Sequence, residues 1–227
     1  MIKSFLKGWI GEKSTQLGMW VGLDDSIYFR SHNIIIPTNN GTTQIDHVII
    51  SKFGVFVIET KNYAGWIFGD KNQNRWTQVL FNVKNQFQNP LHQNYKHTKS
   101  LAAALGVGHE KFHSIVYFVG DSIFKTQMPA NVLNGRLSSY IKTFDKIIFS
   151  QDQLNFLCNK IQSFKDNPIS TKKEHRVDLK ERLNDKLNCP KCNSKLVLRI
   201  AKQGKNIGQE FFGCSNYPKC RYTKMST

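Results

Sequence analysis

Short apolar runs alternate with polar segments along the first two thirds of the chain. Each run has the length of a β-strand, and turn-forming residues such as Pro37 and Gly54 bound several of them. The pattern predicts five strands, at residues 33–36, 43–50, 55–61, 115–119 and 146–149.

Three further segments predict helices. In residues 151–164 the apolar positions Leu154, Leu157 and Ile161 recur at helical spacing, and residues 3–22 also have helical character. Residues 89–105 begin near a proline and stop before a glycine, which is typical of helix ends. Strands interspersed with helices predict an α/β fold.

Residues 43–61 predict an antiparallel hairpin with a tight turn at residues 51–54. A two-residue or a four-residue loop gives the same pairing, in which Asp46 lies across from Glu59 and Gln44 across from Lys61. Because side chains alternate along a strand, Lys61 shares the face of the two carboxylates. The same face is apolar toward the turn. A three- or five-residue loop would break this arrangement.

Asp46, Glu59 and Lys61 have the chemistry of metal-assisted phosphodiester hydrolysis. Two carboxylates this close repel each other unless a proton or a cation separates them. Mg²⁺ is usually held by one or two carboxylates together with water and phosphate. A neighbouring lysine can orient a water molecule and stabilise negative charge. The alternative is an ordinary strand pair in which the lysine forms a salt bridge.

Four of the five cysteines lie in the last 39 residues, as two close pairs. Two short loops with two thiolates each can complete a tetrahedral Zn²⁺ site. The segments 195–200 and 208–213 predict two strands between the loops, and the metal would supply much of the folding free energy. A redox role for the first pair is disfavoured because the second pair supplies the missing ligands. The four are Cys189, Cys192, Cys214 and Cys220.

The charge balance of the 227-residue chain favours a polyanionic partner. There are 32 Lys and Arg against 16 Asp and Glu, a net charge of +16, and residues 172–227 carry 14 of the basic residues but 5 of the acidic ones. This predicts nucleic acid rather than a membrane surface. We expect a cytoplasmic protein, because no segment has the roughly 18 apolar residues of a membrane span and no apolar run follows the first residues.

Aromatic and basic residues interleave around the second cysteine pair. Rings that stack on bases, beside cations that bind phosphate, are typical of single-strand binding. The alternative is that some of these rings form the small core of the module, as we expect of Phe211 or Phe212. The candidate nucleic-acid-binding residues are Phe212, Tyr217, Lys219, Arg221 and Tyr222.

Four sequence blocks resemble the NERD family, the nuclease-related domain of the PD-(D/E)xK nuclease superfamily. Asp46 followed by Glu59-Thr60-Lys61 resembles the Asp and Glu-x-Lys elements of that superfamily. The blocks follow the family's order and run through most of residues 8–105, which makes them far more specific than a lone Glu-x-Lys. They are residues 8–12 (GWIGE), 43–48 (TQIDHV), 54–65 (GVFVIETKNYAG) and 89–94 (NPLHQN).

This resemblance implies a restriction-endonuclease-like mixed sheet flanked by helices. It implies Asp46 and Glu59 as ligands of Mg²⁺ or Mn²⁺ and Lys61 as the catalytic lysine. Glu12, on the first predicted helix, is implied as a further acidic member of the site. Gln93 is implied as a contact to the scissile phosphate or to a water at the metal. The alternatives are a helix-face residue for Glu12 and a capping or packing residue for Gln93.

Two histidines lie close to these residues in sequence. His97 follows Gln93 by one helical turn and faces the same side, with packing as the alternative. His47 points to the sheet face opposite Asp46, so we predict that it packs in the core.

Residues 212–223 (FGCSNYPKCRYT) resemble the C-terminal four-cysteine zinc ribbon of type IA topoisomerases, a family whose ribbons bind DNA, often single-stranded. The resemblances imply a nuclease-like domain at 1–165, a charged linker at 166–187 and a zinc ribbon at 188–227. They imply an Mg²⁺-dependent nuclease that acts on DNA and carries one structural Zn²⁺. The alternative is a non-catalytic DNA-binding or scaffold protein on the same fold. The sequence is compatible with single- and double-stranded substrates.

Overall fold

The computed structural model describes residues 22–38, 41–184, 188–203 and 206–225. The chain divides into two compact units, residues 1–170 and 171–227. Glu12 and all but the last residue of the predicted helix at 3–22 lie outside the described residues.

The first unit contains a five-stranded and a four-stranded sheet with helices against them. Its strands are β1 (Phe29–Thr38), β2 (Gly41–Ser51), β3 (Gly54–Asn62), β4 (Gly65–Phe68), β5 (Arg75–Leu80), β6 (Val83–Gln88), β7 (Phe112–Val119), β8 (Ser122–Phe124) and β9 (Val132–Leu133). Its helices are α1 (Pro90–Leu105), α2 (Leu137–Ile141) and α3 (Gln151–Asp166), with a 3₁₀ turn at His109–Lys111.

The larger sheet is mixed and has the order β1-β2-β3-β7-β9. β1, β2 and β3 pair antiparallel, whereas β3 with β7 and β7 with β9 pair parallel. The smaller sheet has the order β6-β5-β4-β8, with β4 and β8 parallel and its other pairs antiparallel. Only two residues separate β3 from β4, and two separate β7 from β8. The same two chain segments therefore run side by side through both sheets.

Alternation along the central strands gives the larger sheet two buried faces. Val48 and Val57 pack on the side covered by α1 and α3, together with Leu101 and Ile161 of those helices. On the other side, Phe56, Ile58 and Ile115 pack against Leu137 and Ile141 of α2. The mixed α/β fold with flanking helices that the sequence predicted is confirmed.

The strands predicted at 33–36, 43–50, 55–61 and 115–119 are confirmed, and so are the helices at 89–105 and 151–164. The strand predicted at residues 146–149 is wrong, because this segment is a loop. The backbone N–H groups of Ile148 and Phe149 both donate to the Lys52 carbonyl, 2.9 and 3.3 Å away. Phe149 is buried in the core. The apolar run therefore reflects burial against one turn rather than pairing with a neighbouring strand.

Two buried asparagines fix the position of helix α1. The side chain of Asn89 caps the helix by accepting from the Leu91 N–H at 2.9 Å, while its Nδ2 donates to the Gln73 carbonyl at 2.6 Å. One turn later, Asn94 Nδ2 lies 2.9 Å from both the Val57 and Ile115 carbonyl oxygens. Because Val57 and Ile115 belong to β3 and β7, the Asn94 side chain joins α1 to the two central strands.

The second unit consists of helix α4 (Lys172–Asn184) and a three-stranded antiparallel sheet. The strands are β10 (Leu196–Ile200), β11 (Glu210–Cys214) and β12 (Thr223–Met225), in that order. The two ribbon strands that the sequence predicted are confirmed, and β12 is a third. None of the helices in the described ranges combines the length and apolar character needed to cross a membrane.

We predict that Asn94→Ala destabilises the first unit by about 2–4 kcal/mol, because it removes the buried amide that serves both central strands. Urea unfolding followed by tryptophan fluorescence measures this selectively, since all four tryptophans precede residue 171. Asn159→Ala, at an exposed position of α3, is the matched control and should change the free energy of unfolding by less than about 0.5 kcal/mol. Equal stability of the two variants would contradict the role assigned to Asn94.

Candidate active site and zinc centre

The β2–β3 hairpin has the predicted register over its turn-proximal half. Ser51 pairs with Gly54, which leaves a two-residue turn, and the ladder runs to His47 paired with Ile58. The predicted pairs Asp46–Glu59 and Gln44–Lys61 lie beyond the end of this ladder. There β3 continues in parallel pairing with β7 as far as Asn62. Where β3 separates from β2, side chains can therefore contact the edge of β3 that faces β2.

The carboxylate of Asp46 replaces backbone pairing at this point. Its Oδ2 accepts hydrogen bonds from both the Thr60 backbone N–H, at 3.0 Å, and the Thr60 hydroxyl, at 2.9 Å. These contacts hold Asp46 across the gap between the strands. They also explain why the ladder stops before the predicted pairs Asp46–Glu59 and Gln44–Lys61.

Glu59 is 4% exposed and lies between two cationic or potentially cationic groups. Lys61 Nζ donates to Glu59 Oε1 at 2.7 Å. His97 Nε2, on α1, lies 3.4 Å from the other oxygen, Oε2. The His97 Nδ1 is in turn 3.0 Å from the Thr43 hydroxyl on β2. Both oxygens of Glu59 are therefore oriented by neighbouring side chains.

Gln93 reaches the same group of residues from helix α1. Its Oε1 accepts a hydrogen bond from Lys61 Nζ at 2.9 Å, so the lysine ammonium is shared between Glu59 and Gln93. The next residue of the helix is Asn94, which fixes the helix on the sheet. Asp46, Glu59, Lys61, Gln93 and His97 thus form one cluster.

The pKa values of the two carboxyl groups shift in opposite directions. Burial raises the pKa of Asp46, and the negative charge of Glu59 raises it further, against the opposing hydrogen bonds from Thr60. Burial also opposes ionisation of Glu59, but the hydrogen bond from His97 and the positive charge of Lys61 outweigh it and lower its pKa. Glu59 is therefore held as a carboxylate, whereas Asp46 is ionised at a cost that a nearby cation would offset.

The donor set fits a hard divalent cation. Asp46 and Glu59 offer carboxylate oxygens in a mostly buried setting, where burial and the charge of Glu59 both raise the pKa of Asp46. These are the ligand types that Mg²⁺ or Mn²⁺ would use, and the Lys61 ammonium lies beside Glu59.

The sequence interpretation missed three residues that shape the cluster. The Thr60 hydroxyl binds Asp46, and the Thr43 hydroxyl binds His97. No sequence pattern distinguished these two residues from other strand threonines. Asn94 had a usable signal, because asparagine is unfavourable in the interior of a helix unless its side chain has a specific partner.

His47 is buried in the core, as predicted from its position in the strand. It pairs with His32 across β1 and β2, and the two Nδ1 atoms are 2.7 Å apart. Burial lowers the pKa of His47 to about 3 and that of His32 to about 4, so both rings are neutral near pH 7.

The four C-terminal cysteines converge, as their spacing predicted. All four Sγ atoms lie within 4.8 Å of one another, with Cys192 and Cys214 at 3.3 Å and Cys189 and Cys220 at 3.7 Å. Sulfurs bound 2.3 Å from a tetrahedral Zn²⁺ would be about 3.8 Å apart. The cluster therefore fits one Zn²⁺ and confirms the zinc-ribbon architecture.

Backbone hydrogen bonds in the two loops present the thiols. The Cys189 N–H donates to the Ser194 carbonyl and the Asn193 N–H donates back to the Cys189 carbonyl, both at 2.8 Å. In the second loop, the Cys220 N–H donates to the Asn216 carbonyl at 2.9 Å. Each loop is thus a closed turn whose cysteines point inward, and Leu196 is buried beside them.

The aromatic residues of the ribbon divide into two sets. Phe212 and Tyr222 are half-buried and pack against the cysteine cluster, which is the core role that the sequence left open for Phe212. Tyr217, Lys219 and Arg221 are exposed. Of the five residues that the sequence predicted for nucleic-acid binding, these three are therefore the exposed ones.

Comparisons with known protein families agree with both resemblances. Residues 7–119 match the family described as nuclease-related domain, and residues 186–227 match the topoisomerase DNA-binding C4 zinc finger. The two matches cover the β2–β3 hairpin with α1 and the four cysteines, respectively. They confirm the recognition of both regions from sequence. No solved structure gives a significant match.

Individual relatives match one region each. An uncharacterized protein of Bacillus anthracis is 47% identical over 104 residues, which is 44% of this chain and 49% of that protein. DNA topoisomerase 1 of Mycoplasma genitalium is 49% identical over 39 residues, or 17% of this chain and 5% of the topoisomerase. DNA topoisomerase 1 of Methanocaldococcus jannaschii is 47% identical over 49 residues, or 22% and 5%. The chain therefore spans about half of the first relative and a small fraction of the topoisomerases.

We predict that Cys214→Ser lowers the zinc content from about one ion per chain to near zero and unfolds the second unit. The reason is that metal binding supplies most of the folding free energy of so small a module. Elemental analysis and amide NMR of the full-length chain measure the two effects. Cys158→Ser, which changes the one cysteine outside the cluster, is the control and should keep its zinc. Full zinc occupancy in Cys214→Ser would contradict the four-thiolate site.

Proposed function

We propose that this chain, which carries a nuclease-related domain followed by a topoisomerase-type C4 zinc finger, is a metal-dependent nuclease that hydrolyses phosphodiester bonds in DNA. The observation that carries the proposal is the convergence of Asp46, Glu59, Lys61 and Gln93 where β2 and β3 separate. A buried carboxylate pair beside a lysine suits phosphodiester hydrolysis better than simple strand pairing, which would not need a second carboxylate.

Asp46 and Glu59 would hold the divalent cation. When bound, Mg²⁺ or Mn²⁺ would polarise the phosphate and lower the pKa of a water molecule. Thr60 orients Asp46 through two hydrogen bonds, and Lys61 and His97 orient the two oxygens of Glu59. These contacts fix the ligand geometry before substrate binds, which reduces the reorganisation that the reaction requires.

Lys61 is proposed as the catalytic lysine. The Lys61 side chain is 17% exposed, and hydrogen bonds to Glu59 and Gln93 fix its ammonium. The ammonium is therefore both held in place and reachable by substrate. In that position it can orient the attacking water and stabilise the negative charge that develops on the phosphate. Gln93 holds the ammonium from helix α1 by accepting its hydrogen bond.

His97 is proposed as a positioning residue. Its Nδ1 lies 3.0 Å from the Thr43 hydroxyl, and its Nε2 lies 3.4 Å from Glu59 Oε2. Thr43 on β2 and Glu59 on β3 are thereby linked through helix α1. This linkage is the bridge across the two separating strands on the side away from Thr60.

The second unit is proposed to contribute affinity for DNA. Residues 172–227 carry 14 basic against 5 acidic residues, and Tyr217, Lys219 and Arg221 are exposed on the ribbon. Counterion release makes binding by such a surface strongly dependent on salt. The resemblance of the ribbon to a DNA-binding topoisomerase module supports DNA as the polymer.

We predict that Asp46→Asn and Glu59→Gln each lower the rate of Mg²⁺-dependent cleavage by about 10²-fold or more. Each variant removes one anionic ligand and should also weaken Mn²⁺ binding, which electron paramagnetic resonance measures without any substrate. Asp145→Asn changes an exposed carboxylate in the loop after α2 and should leave both measurements unchanged. A wild-type chain that binds DNA but never cleaves it with Mg²⁺ or Mn²⁺ would favour the non-catalytic alternative.

We predict that Lys61→Met lowers the cleavage rate by about 10²–10³-fold while changing the affinity for DNA by less than about threefold, because a positioned charge acts on the transition state rather than on the bound substrate. Single-turnover cleavage and anisotropy binding in chelator separate the two effects. Lys142→Met, at an exposed position after α2, is the matched control. Comparable losses of rate and affinity in Lys61→Met would identify it as a general phosphate contact.

A further inference from the structure

The smaller sheet of the first unit has one face open to solvent. Residues of the opposite face are buried, among them Ile67, Trp76 and Gln78. On the open face, Trp66 of β4 is 48% exposed and Ile123 of β8, its partner in the parallel pair, is 53% exposed. A large exposed aromatic in the middle of a sheet row is unusual, because tryptophan is mostly buried in folded proteins.

The open face is also basic. Across the row that contains Trp66, β5 contributes Val79 and β6 contributes Lys84. Lys125, just past β8, places its Nζ 4.6 Å from the centre of the Trp66 ring. Arg75 is exposed on the same side of β5 as Val79, two intervals along the strand. The four strands of this sheet contain no aspartate or glutamate.

A second exposed aromatic marks the end of the β5–β6 hairpin. Phe81 is 91% exposed and has a φ of 53° in the two-residue turn between the strands. Val79 is the residue paired with Trp66. Phe81 follows Val79 by two residues, so it lies about 7 Å further along the chain. Phe81 therefore offers a second exposed ring at the hairpin end of the same sheet, and exposed rings beside basic residues are the arrangement that lets successive unpaired bases stack beside bound phosphates.

The face is connected to the proposed active site through the backbone. Trp66 follows Lys61 by five residues, which limits the separation of their Cα atoms to about 18 Å. Gln93 follows the end of β6 at Gln88 by the same number of residues. The open face is therefore within about 18 Å of the Lys61–Gln93 cluster, a distance that a few nucleotides of one bound strand can span.

We propose that the open face of the β6-β5-β4-β8 sheet binds single-stranded nucleic acid, with bases stacked on Trp66 and Phe81 and phosphates at Lys125, Lys84 and Arg75. The inference rests on the proposed nuclease function only in that the bound nucleic acid is expected to lead toward the proposed active site. It names unpaired nucleic acid as the substrate class. A duplex keeps its bases stacked on each other and would not offer their faces to Trp66. A second copy of the chain would bring like charges together on this face.

The test uses the full-length chain with a fluorescent oligonucleotide that carries 5-iododeoxyuridine, in chelator so that no cleavage occurs. Irradiation and peptide mapping by mass spectrometry should locate cross-links at Trp66 or Phe81. Anisotropy titrations should show that Trp66→Ala weakens binding by about 5- to 100-fold, the loss expected for one base stack. Trp66→Phe keeps a ring and should stay within about threefold of wild type. Lys125→Gln should weaken binding and reduce the salt slope by about one.

Phe156→Ala is the matched control. Phe156 is also an exposed ring with a lysine above it, since Lys160 Nζ lies 5.4 Å from its centre, but it is on helix α3. The proposal predicts no change in binding for this variant. Cross-links confined to residues 188–227, or equal affinities of Trp66→Ala and Phe156→Ala, would overturn the proposal.

Three further outcomes separate this inference from others. A concentration-dependent dimer of the wild type that Trp66→Ala abolishes in sedimentation velocity would overturn it and assign the face to a second copy of the chain. Cross-linking at Trp66 by a chain that does not cleave with Mg²⁺ or Mn²⁺ would support the binding face and contradict the proposed nuclease function. Cleavage without any cross-link at Trp66 or Phe81 would support the proposed nuclease function and overturn the binding face.

Discussion

The separation of β2 from β3 beyond His47 and Ile58 determines the chemistry of the first unit. As long as two strands pair regularly, their backbone groups bind each other and the side chains between them are held at fixed, close spacing. Where the ladder stops, the Thr60 N–H needs another acceptor, because an unpaired buried amide is costly. The Asp46 carboxylate meets that need, which fixes one acidic side chain in the gap. The side chains of Glu59, Lys61 and His97 lie around the same gap.

Helix α1 completes this opening because its own placement does not depend on the charged residues. Asn89 ends the loop that precedes the helix, and Asn94 binds carbonyls of both central strands. These neutral side-chain amides fix the helix on the sheet without introducing charge. Gln93 and His97, at positions flanking Asn94 on the helix, reach the carboxylates from a support that is independent of metal. The small core of the second unit, formed by the cysteines with Leu196, Phe212 and Tyr222, depends instead on a metal for cohesion.

Much of the fold followed from the sequence, because apolar periodicity and a two-residue turn largely determine a hairpin and its register. Periodicity could not distinguish a strand from a buried loop at residues 146–149, where the Lys52 carbonyl alone accepts the hydrogen bonds from two backbone N–H groups. It also could not reveal where a ladder would end, because that depends on a side chain competing with the backbone, as Asp46 does for Thr60. The residue types of the site were predicted, together with the cysteine cluster, but the hydroxyl groups of Thr43 and Thr60 had no signal in one sequence. Glu12 lies outside the described residues and stays a prediction.

The parallel pairing of β3 with β7 has a consequence for how the protein is made. Val55 pairs with Phe112, and the carbonyls that Asn94 binds come from both strands, so the partners are separated by more than fifty residues of chain. Contacts this distant in sequence form late in folding, because the entropy of closing the intervening loop opposes them. A chain still emerging from the ribosome, or one partly unfolded, therefore has its carboxylates but not the helix that holds Gln93 and His97 against them. Assembly of the cluster therefore requires the completed domain, so the unfinished protein would lack the proposed nuclease activity.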